Sequence, residues 1–367
     1  PAQAVKLLFV NHSLKLGGST RSLRELLKNL DGVEADMVVP ADERTMDDAQ
    51  IRAYFGPNLR RIFRFWLPFE LCYRGRGSLI RHGYRWAGLA AVWLVQRRAF
   101  YRFVRAERYD AIHLNSVVLH PMVRADLPFV IHVREIVDLD LRRVRANLAR
   151  AHGVIFIDEA TRAPFRDLPL RRSTVINNPF DMTGVGAPPP DAAARIAGDP
   201  AQLVIFSIVG VLIPEKGVDR VIRAFRETTA QHARLVIVGQ GAQEAELRRL
   251  AAGDARVVFW GVEHEIERIF ALTDHVLRGE AYPCVGRTIY EALYAGCGVI
   301  IPGSESDHTL FEYERFAARV AFYPPGDEGR LRDVLEQLAT RKLTVKRGES
   351  NAAAHVAAFQ AFVAGAI

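Results

Sequence analysis

The same succession of an apolar strand, a glycine-containing turn and an amphipathic helix occurs near the start and again in the middle of the chain. The first copy has an apolar run at 5–11, then Gly17 and Gly18, then leucines at helical spacing. The second copy begins with an apolar run at 203–209 and continues through a glycine turn into a helix with one apolar face. Parallel strands joined by helices bury both faces of a sheet, so each copy predicts the opening of a doubly wound α/β domain.

The length and composition of the chain fit two such domains. It has 367 residues, of which 49% are hydrophobic and 25% are charged, enough to bury two separate cores. No window reaches about 18 uninterrupted apolar residues, so we expect no transmembrane helix. The first residues lead directly into a strand and lack the basic start of a signal peptide. Three scattered cysteines are typical of a reducing cytoplasm rather than of a disulfide framework or a zinc site.

Composition also predicts where the chain divides. Residues 183–190 are rich in glycine and proline, as linkers are. We therefore expect a first domain over residues 1–180 and a second over residues 181–349, followed by a C-terminal helical segment over residues 350–367.

A strongly basic segment, residues 56–108, interrupts the first domain. It holds twelve arginines against two acids, Glu70 and Glu107, so its excess charge is larger than the net +7 of the whole chain. Aromatic and leucine residues interleaved with arginine are typical of a surface that lies on an anionic membrane. The alternative is a single helix over 89–103 that packs on the sheet and leaves its arginines in solvent. No nucleic-acid-binding motif accompanies the charge, so nucleic acid is not an expected partner.

The stretch 277–303 is the strongest candidate for a ligand site. It comprises a loop broken by glycine and proline, a short helix, and a buried apolar strand. A glycine-bearing loop that leads into a helix favours a phosphate, because backbone N–H groups and the helix dipole point at it. The N–H groups of Gly286, Arg287 and Thr288 are the expected phosphate cradle.

This stretch resembles the signature of the retaining glycosyltransferases of GT-B family 4. In that signature two glutamates lie on either side of Phe-Gly, and the second is followed by alanine, small residues with glycine, and an apolar strand. Val285-Gly286 stands for Phe-Gly here, and Glu291-Ala292 for the second glutamate and its alanine. The resemblance implies that Glu291 binds the ribose hydroxyls of a nucleotide. Alternatively, Thr288 and Glu291 form a capping box that only satisfies backbone donors.

Two positions depart from the family pattern. The first glutamate, which in the family holds the hydroxyls of the sugar, falls on Pro283; Glu280 on the same loop is a candidate replacement. The family also pairs an arginine with a Lys-Gly sequence to neutralise the donor diphosphate. Lys216 matches the lysine, but the arginine position is Val211. Arg287 is a candidate for the missing positive charge.

Further matches lie along the chain. Gly17-Gly18 resembles the family's loop near the donor phosphate and the acceptor, although from the residues alone it is equally a tight turn. The strand at 129–133 carries a catalytic-site histidine in the family. Two registers fit: His132 is that histidine, or Arg134-Glu135 replaces a His-Asp pair. The family's loop around the nucleotide base corresponds to Gly261 and Val262.

The resemblance implies a GT-B fold, with two Rossmann-like doubly wound α/β domains that face each other across a cleft and a C-terminal helix that crosses back to the first. It implies transfer of a sugar, with retention of configuration, from a UDP-, GDP- or dTDP-sugar to a saccharide or lipid-linked acceptor. We expect no cofactor and no metal. The Asp-x-Asp spacing of Asp138 and Asp140 is not on a nucleotide-site strand.

Together with the basic segment, the resemblance predicts a cytoplasmic protein on the inner face of the plasma membrane that builds bacterial cell-surface polysaccharide or glycolipid. The alternatives are a degenerate GT-B protein that binds a nucleotide sugar without turnover, and a sugar-nucleotide epimerase or phosphorylase of the same fold. The sequence shows no cofactor lysine that a phosphorylase would need, and it predicts no oligomeric state.

Overall fold

The structure is a computed structural model. It describes residues 5–15, 17–70, 72, 79–283, 285–307, 310, 312–343 and 348–365, without the side chains of 79–87, 89 and 307. The chain divides into two compact units. The first is Pro1–Pro179 together with Asn351–Ile367, and the second is Phe180–Ser350.

The first unit is built on a parallel sheet. Its strands, among the residues described, are β1 (Val5–Val10), β2 (Val33–Pro40), β3 (Leu59–Phe65), β4 (Ala111–Leu114), β5 (Phe129–Val133), β6 (Gly153–Phe156) and β7 (Ser173–Val175). Its helices are α1 (Gly18–Asn29), α2 (Asp48–Phe55), α3 (Leu79–Glu107), α4 (Leu141–Leu148) and α5 (Glu159–Arg162). The strand order is β3-β2-β1-β4-β5-β6-β7. The order reverses between β1 and β4, and doubly wound sheets bind ligands at such a switch point.

The second unit repeats the plan. Its helices are α6 (Ala192–Arg195), α7 (Val218–Arg226), α8 (Glu244–Leu250), α9 (Ile266–Leu272), α10 (Arg287–Tyr294), α11 (Tyr313–Phe316) and α12 (Glu328–Ala339). Its strands are β8 (Val204–Val209), β9 (Ala233–Val238), β10 (Val257–Gly261), β11 (His275–Leu277), β12 (Gly298–Pro302) and β13 (Val320–Tyr323). They form a parallel sheet in the order β10-β9-β8-β11-β12-β13. Its switch point therefore lies between β8 and β11.

The last helix, α13 (Ala352–Ala364), packs in the core of the first unit. The Phe359 ring stacks 6.1 Å from the Phe9 ring of β1. The Phe362 ring lies so close to Gly153 that a Cβ there would be 2.7 Å from its Cε1 atom. Burial of these two rings fixes the end of the chain to the first unit, although 171 residues of the second unit (180 to 350) come between.

The basic segment contributes to the sheet itself. Within it, β3 is the edge strand, and Arg60 and Arg61 of that strand pair with the fully buried Asp36 of β2 at 3.2 and 2.6 Å. The prediction of a helix packed on the sheet is confirmed with wider bounds, because α3 buries Phe100 and Val104 in the core of the unit. None of the described helices has the length and apolarity that crossing a bilayer would require.

Candidate functional site

Two loops meet at the switch point of the second unit. The loop after β8 contains a short 3₁₀ turn that ends at Lys216, and the loop after β11 contains Arg278 and Glu280. Because β8 and β11 are adjacent and parallel, their carboxyl ends lie at the same edge of the sheet. The Lys216 Nζ atom lies 3.3 Å from Glu280 Oε1. The structure thus brings together two residues that were predicted separately.

Glycines allow these two loops to touch. Gly217 has a positive φ of 61°, and a Cβ atom there would lie 1.8 Å from the carbonyl oxygen of Gly279. A Cβ atom on Gly279 would in turn lie 2.3 Å from the Gly217 oxygen. The Arg220 Nε atom donates to the same Gly279 oxygen at 3.0 Å. Side chains at either position would separate the loops and move Lys216 away from Glu280.

Arg278 and Glu280 form a buried ion pair beneath Lys216. The Glu280 side chain is fully buried, and its Oε2 atom accepts from Arg278 Nε at 3.1 Å, while Oε1 pairs with Arg278 Nη2. The Lys216 side chain is 35% exposed. One carboxylate therefore serves two cations, and the cluster keeps one net positive charge.

The cluster lines a small solvent-open pocket. Its remaining walls are mostly apolar and are contributed by the end of β8, the following loop and the start of α7: Ile208, Val209, Gly210, Val211, Leu212 and Val218. A net positive charge on an apolar wall favours a buried anion, because the charge is less screened there than in water.

The N-terminus of α10 lies against this cluster. Gly286 is its N-cap residue, and within the described part of the chain the helix has no side-chain cap and no acid in its first turn. A Cβ atom on Gly286 would lie 2.8 Å from Arg278 Nη1, so the guanidinium packs against the N-cap backbone. The helix begins at Arg287, which places Thr288 inside the first turn. The prediction that Thr288 and Glu291 form a capping box is therefore wrong.

Glu291 has a different partner. Arg287 Nε donates to Glu291 Oε1 at 2.7 Å, and both side chains are largely buried. The Arg287 guanidinium also lies 4.8 Å from the ring centroid of Phe180, which stacks on Tyr290 at 5.3 Å. These contacts hold the Arg287 side chain beside Glu291. Arg287 is not among the residues that line the pocket around Lys216.

Gly261 is the last residue of β10, and Val262 follows it at the same edge of the sheet. Gly239 N donates to the Gly261 oxygen at 2.7 Å, and a Cβ atom on Gly239 would lie 1.9 Å from the oxygen of Gly210, which lines the pocket. The three glycines thus lie at the carboxyl ends of neighbouring strands, with Gly261 two strands from the strand that precedes Lys216. Val262 is 49% exposed.

His132 lies in the first unit, inside β5. It is fully buried, and its Nδ1 atom is 3.3 Å from His113 Nε2 and 3.2 Å from Arg134 Nη2. Burial, and then the charge of Arg134, hold the pKa of His132 well below its ordinary value. The imidazole is therefore neutral at pH 7, and it has no exposed surface in this structure. Arg134, which follows the strand, is only partly buried.

Gly17 and Gly18 begin α1 at the switch point of the same unit. Gly17 is the N-cap residue, with no side-chain cap and no acid in the first turn. Asn115, which follows β4, donates through Nδ2 to the Ser19 oxygen at 3.1 Å and to Asn11 Oδ1 at 3.0 Å. The glycine loop is thus tied to the ends of β1 and β4 by neutral amides.

Two residues of the second-unit site were not predicted from the sequence. Arg278 carries the buried cation, and Arg220 holds the loop of Gly279. The signal for Arg278 was its position directly after a buried strand, at an edge where ligands bind. Arg220 carries no such signal, because a helical arginine is ordinarily solvated.

Comparisons with known proteins bear on the fold and on the second unit. Residues 204–341, less than half of the chain, match the family model for glycosyl transferases group 1. No curated protein matches the chain in sequence. The structure of Anabaena Alr3699/HepE in complex with UDP and glucose is similar, with a TM-score of 0.65, 22% identity, and coverage of 99% of this chain and 97% of that one.

Two further structures show the same similarity. Sucrose-phosphate synthase from Thermosynechococcus elongatus has a TM-score of 0.67 at 19% identity, with coverage of 98% of this chain and 97% of that one. The lipopolysaccharide outer core galactosyltransferase WaaB has a TM-score of 0.63 at 14% identity, with coverage of 99% and 100%. The predicted fold class is confirmed: the protein has the two Rossmann-like parallel-sheet units of a GT-B glycosyltransferase. Within the second unit, residues 204–341 are the part that matches the group 1 family model.

Proposed function

We propose that the protein transfers a sugar from a nucleotide-diphosphate donor to an acceptor hydroxyl, with retention of configuration and without a metal. The observation that carries this proposal is the cluster of Lys216, Arg278 and Glu280 beside the uncapped N-terminus of α10. It lies within the residues that match the group 1 model. The similar HepE structure contains UDP and glucose, which supports UDP-glucose or a related sugar as donor.

Different residues of the second unit would bind the diphosphate and the ribose of the donor. The N–H groups of Gly286, Arg287 and Thr288 and the ammonium of Lys216 bind the diphosphate, and they stabilise the charge that develops as the sugar leaves. Glu291 accepts hydrogen bonds from the ribose, held in orientation by its pair with Arg287. Since cations and helix N–H groups supply the positive charge, the reaction needs no metal ion.

A screen of nucleotide sugars tests the donor. We expect UDP-sugars, GDP-sugars or dTDP-sugars to raise the thermal midpoint and to be slowly hydrolysed in the absence of acceptor, with CMP-sugars as the negative control. Replacement of Lys216 by methionine should lower hydrolysis by about 100-fold, because an oriented charge at the leaving group is lost. Absence of stabilisation by any nucleotide would contradict the proposal.

The second candidate function is binding without turnover. Pro283, in place of the sugar-binding glutamate, is exposed, and Val211, in place of the arginine, is 57% exposed in the wall of the pocket. A degenerate protein should bind a nucleotide sugar tightly, yet neither hydrolyse it nor transfer it to any acceptor extract. Conversion of the bound sugar to its epimer would instead identify an epimerase.

For the acceptor we propose a lipid-linked saccharide at the inner face of an anionic membrane. Leu94 and Val95 on α3 are 58% and 82% exposed, and Trp66 in the loop after β3 is 40% exposed. Gln96 Nε2 donates to the Trp66 oxygen at 2.8 Å, so the loop and the helix form one surface. Exposed Arg97 belongs to the same stretch of helix. Apolar side chains among arginines suit an anionic lipid surface, and the similar WaaB is a lipopolysaccharide galactosyltransferase.

Liposome flotation tests the membrane surface. The wild type should float with vesicles that contain phosphatidylglycerol and not with pure phosphatidylcholine. The double change Arg97→Glu and Arg98→Glu should abolish flotation, because each basic residue contributes about 1 kcal/mol near an anionic surface. Arg142→Glu with Arg150→Glu, two exposed positions of the same unit, is the matched control. Equal loss in both double variants would indicate net charge alone and would contradict this surface.

A further inference from the structure

The pocket of the second unit has a cation that the family pattern does not supply. The pattern's arginine position is Val211, an exposed apolar residue, whereas the guanidinium of Arg278 lies against the N-cap of α10. We infer that Arg278 is the second diphosphate-binding cation of this site, and that Glu280 is a positioning residue that holds Arg278 and Lys216 in place. The inference rests on the proposed function, since it assigns residues within the same donor site.

The formal charges of the cluster favour an anion. The N-terminus of a helix carries partial positive charge, so a guanidinium packed against Gly286 is unfavourable unless negative charge lies nearby. Glu280 supplies one negative charge and shares it between Arg278 and Lys216. A diphosphate would compensate the remaining charge of the cluster and of the helix terminus together, and guanidinium groups bind phosphate oxygens in a bidentate manner.

The backbone of Arg278 is fixed more firmly than a surface loop would allow. Its N–H donates to the Ile300 oxygen of β12 at 3.0 Å, and its carbonyl oxygen accepts from Tyr323 Oη of β13 at 2.7 Å. The neighbouring Gly279 is held by Arg220. A cation anchored in this way loses little freedom when a ligand binds, so more of the interaction energy is available for affinity.

The contacts of Glu280 favour positioning over sugar recognition. Both carboxylate oxygens accept hydrogen bonds from Arg278, Lys216 adds a further one, and the side chain is fully buried. A carboxylate in these surroundings orients the cations that flank it. It would have to give up these bonds to reach a sugar hydroxyl in place of the residue missing at Pro283.

Comparison of UDP with uridine tests the role of Arg278. Arg278→Met should bind UDP about 10- to 100-fold more weakly, since a charged hydrogen bond to phosphate is lost, while uridine binds as in the wild type. Arg223→Met is the matched control, because Arg223 makes an equally close pair with Glu328 on the same unit but is not among the residues that line the pocket. It should leave both affinities unchanged.

A second variant separates charge from structure. In the background of Arg278→Met, the change Val211→Arg places a guanidinium at another residue that lines the pocket and should restore at least part of the UDP affinity. A purely structural Arg278 would not be rescued in this way. If Arg278 were purely structural, Arg278→Met would lower the affinities for UDP and uridine equally. That result would overturn the inference, and so would unchanged UDP binding by Arg278→Met.

Should Arg278→Met not fold, Arg278→Lys replaces it. This variant keeps the charge and the pair with Glu280 but loses the planar fork, so UDP affinity should fall about 3- to 10-fold with uridine unaffected. Unchanged UDP affinity would again overturn the inference. If wild-type protein binds no nucleotide diphosphate at all, the proposed function fails. If wild-type protein binds UDP and the Arg278 variants bind it with the same affinity, only the role of Arg278 is contradicted.

Discussion

The two units use the same parallel plan but place different chemistry at the switch points of their sheets. In the second unit that edge carries charges in a pocket: Lys216, Arg278 and Glu280. In the first unit it carries the amides Asn11 and Asn115, which hydrogen-bond to each other, together with Arg134, whose Nε donates to Asn115 Oδ1 at 3.2 Å. The clustered charges of the second unit suit a phosphate, whereas amides beside one guanidinium suit hydroxyl groups. The same fold thus accommodates two kinds of ligand surface, and the side chains after the strands decide between them.

The largest effect is expected where the charged edge depends on close loop contact. Gly217→Ala should destabilise the second unit by about 3 kcal/mol or more and abolish nucleotide binding, because its Cβ would overlap the Gly279 oxygen. Gly253→Ala is the matched control, since Gly253 also has positive φ, at 86°, but lies in open space. It should cost about 1–2 kcal/mol and leave binding intact. Chemical denaturation measures both, and equal costs would refute the importance of the loop contact.

Burial of imidazoles in the first unit makes its stability sensitive to pH. Burial lowers the pKa of His120 to about 4, with the charge of Arg143 as a further cause, while its Nδ1 atom accepts from Asn147 at 2.8 Å. Burial also holds the pKa of His113 and His132 well below the ordinary value. Since the folded-state pKa lies below the unfolded-state one, these groups stabilise the fold above about pH 6.5. That stability is lost as the pH falls toward 4.

Acid should therefore unfold the first unit. Between pH 8 and pH 5 a histidine such as His120 is expected to withdraw about 2 kcal/mol of stability, because one pKa unit corresponds to about 1.4 kcal/mol. His120→Asn should reduce this pH dependence by that amount. His264→Asn, at an exposed position of the second unit, serves as control and should leave the dependence unchanged. The free energy of unfolding at several pH values is the measurement, and identical pH profiles of wild type and His120→Asn would show that His120 does not contribute.

A smaller effect is expected for recognition of the ribose in the second unit. If Glu291 accepts hydrogen bonds from the ribose, wild-type protein should prefer UDP over its 2′-deoxy form by about tenfold. Glu291→Gln should bind UDP more weakly and lose most of this preference. Glu312→Gln removes a carboxylate that bonds Tyr294 Oη at 2.6 Å in the same unit, and it should keep the preference. Titration calorimetry gives the six affinities; a preference retained by Glu291→Gln would assign ribose recognition elsewhere.

Sequence patterns predicted β1, β5, β8 and β12, because buried parallel strands are short apolar runs between glycine turns. They failed for β3, where arginine and phenylalanine alternate. Arg60 and Arg61 of this strand pair with Asp36 of the neighbouring strand, and such a pairing depends on tertiary structure. Lys216 was predictable from its Lys-Gly motif. The role of Arg278 was not, since its contacts with Glu280 and Gly286 follow from strand order and from loops that only glycine lets touch.

The smallest effect concerns helix capping, for which the two units again differ. In the first unit Asp47 caps α2, with Gln50 completing a capping box, whereas α10 begins at Gly286 without any side-chain cap. Asp47→Ala should therefore cost about 1 kcal/mol. Thr288→Ala should cost less than about 0.5 kcal/mol, because Thr288 lies inside the helix and caps nothing. Urea denaturation resolves this difference; a cost for Thr288→Ala as large as that for Asp47→Ala would mean that α10 is capped after all and is less available to a phosphate.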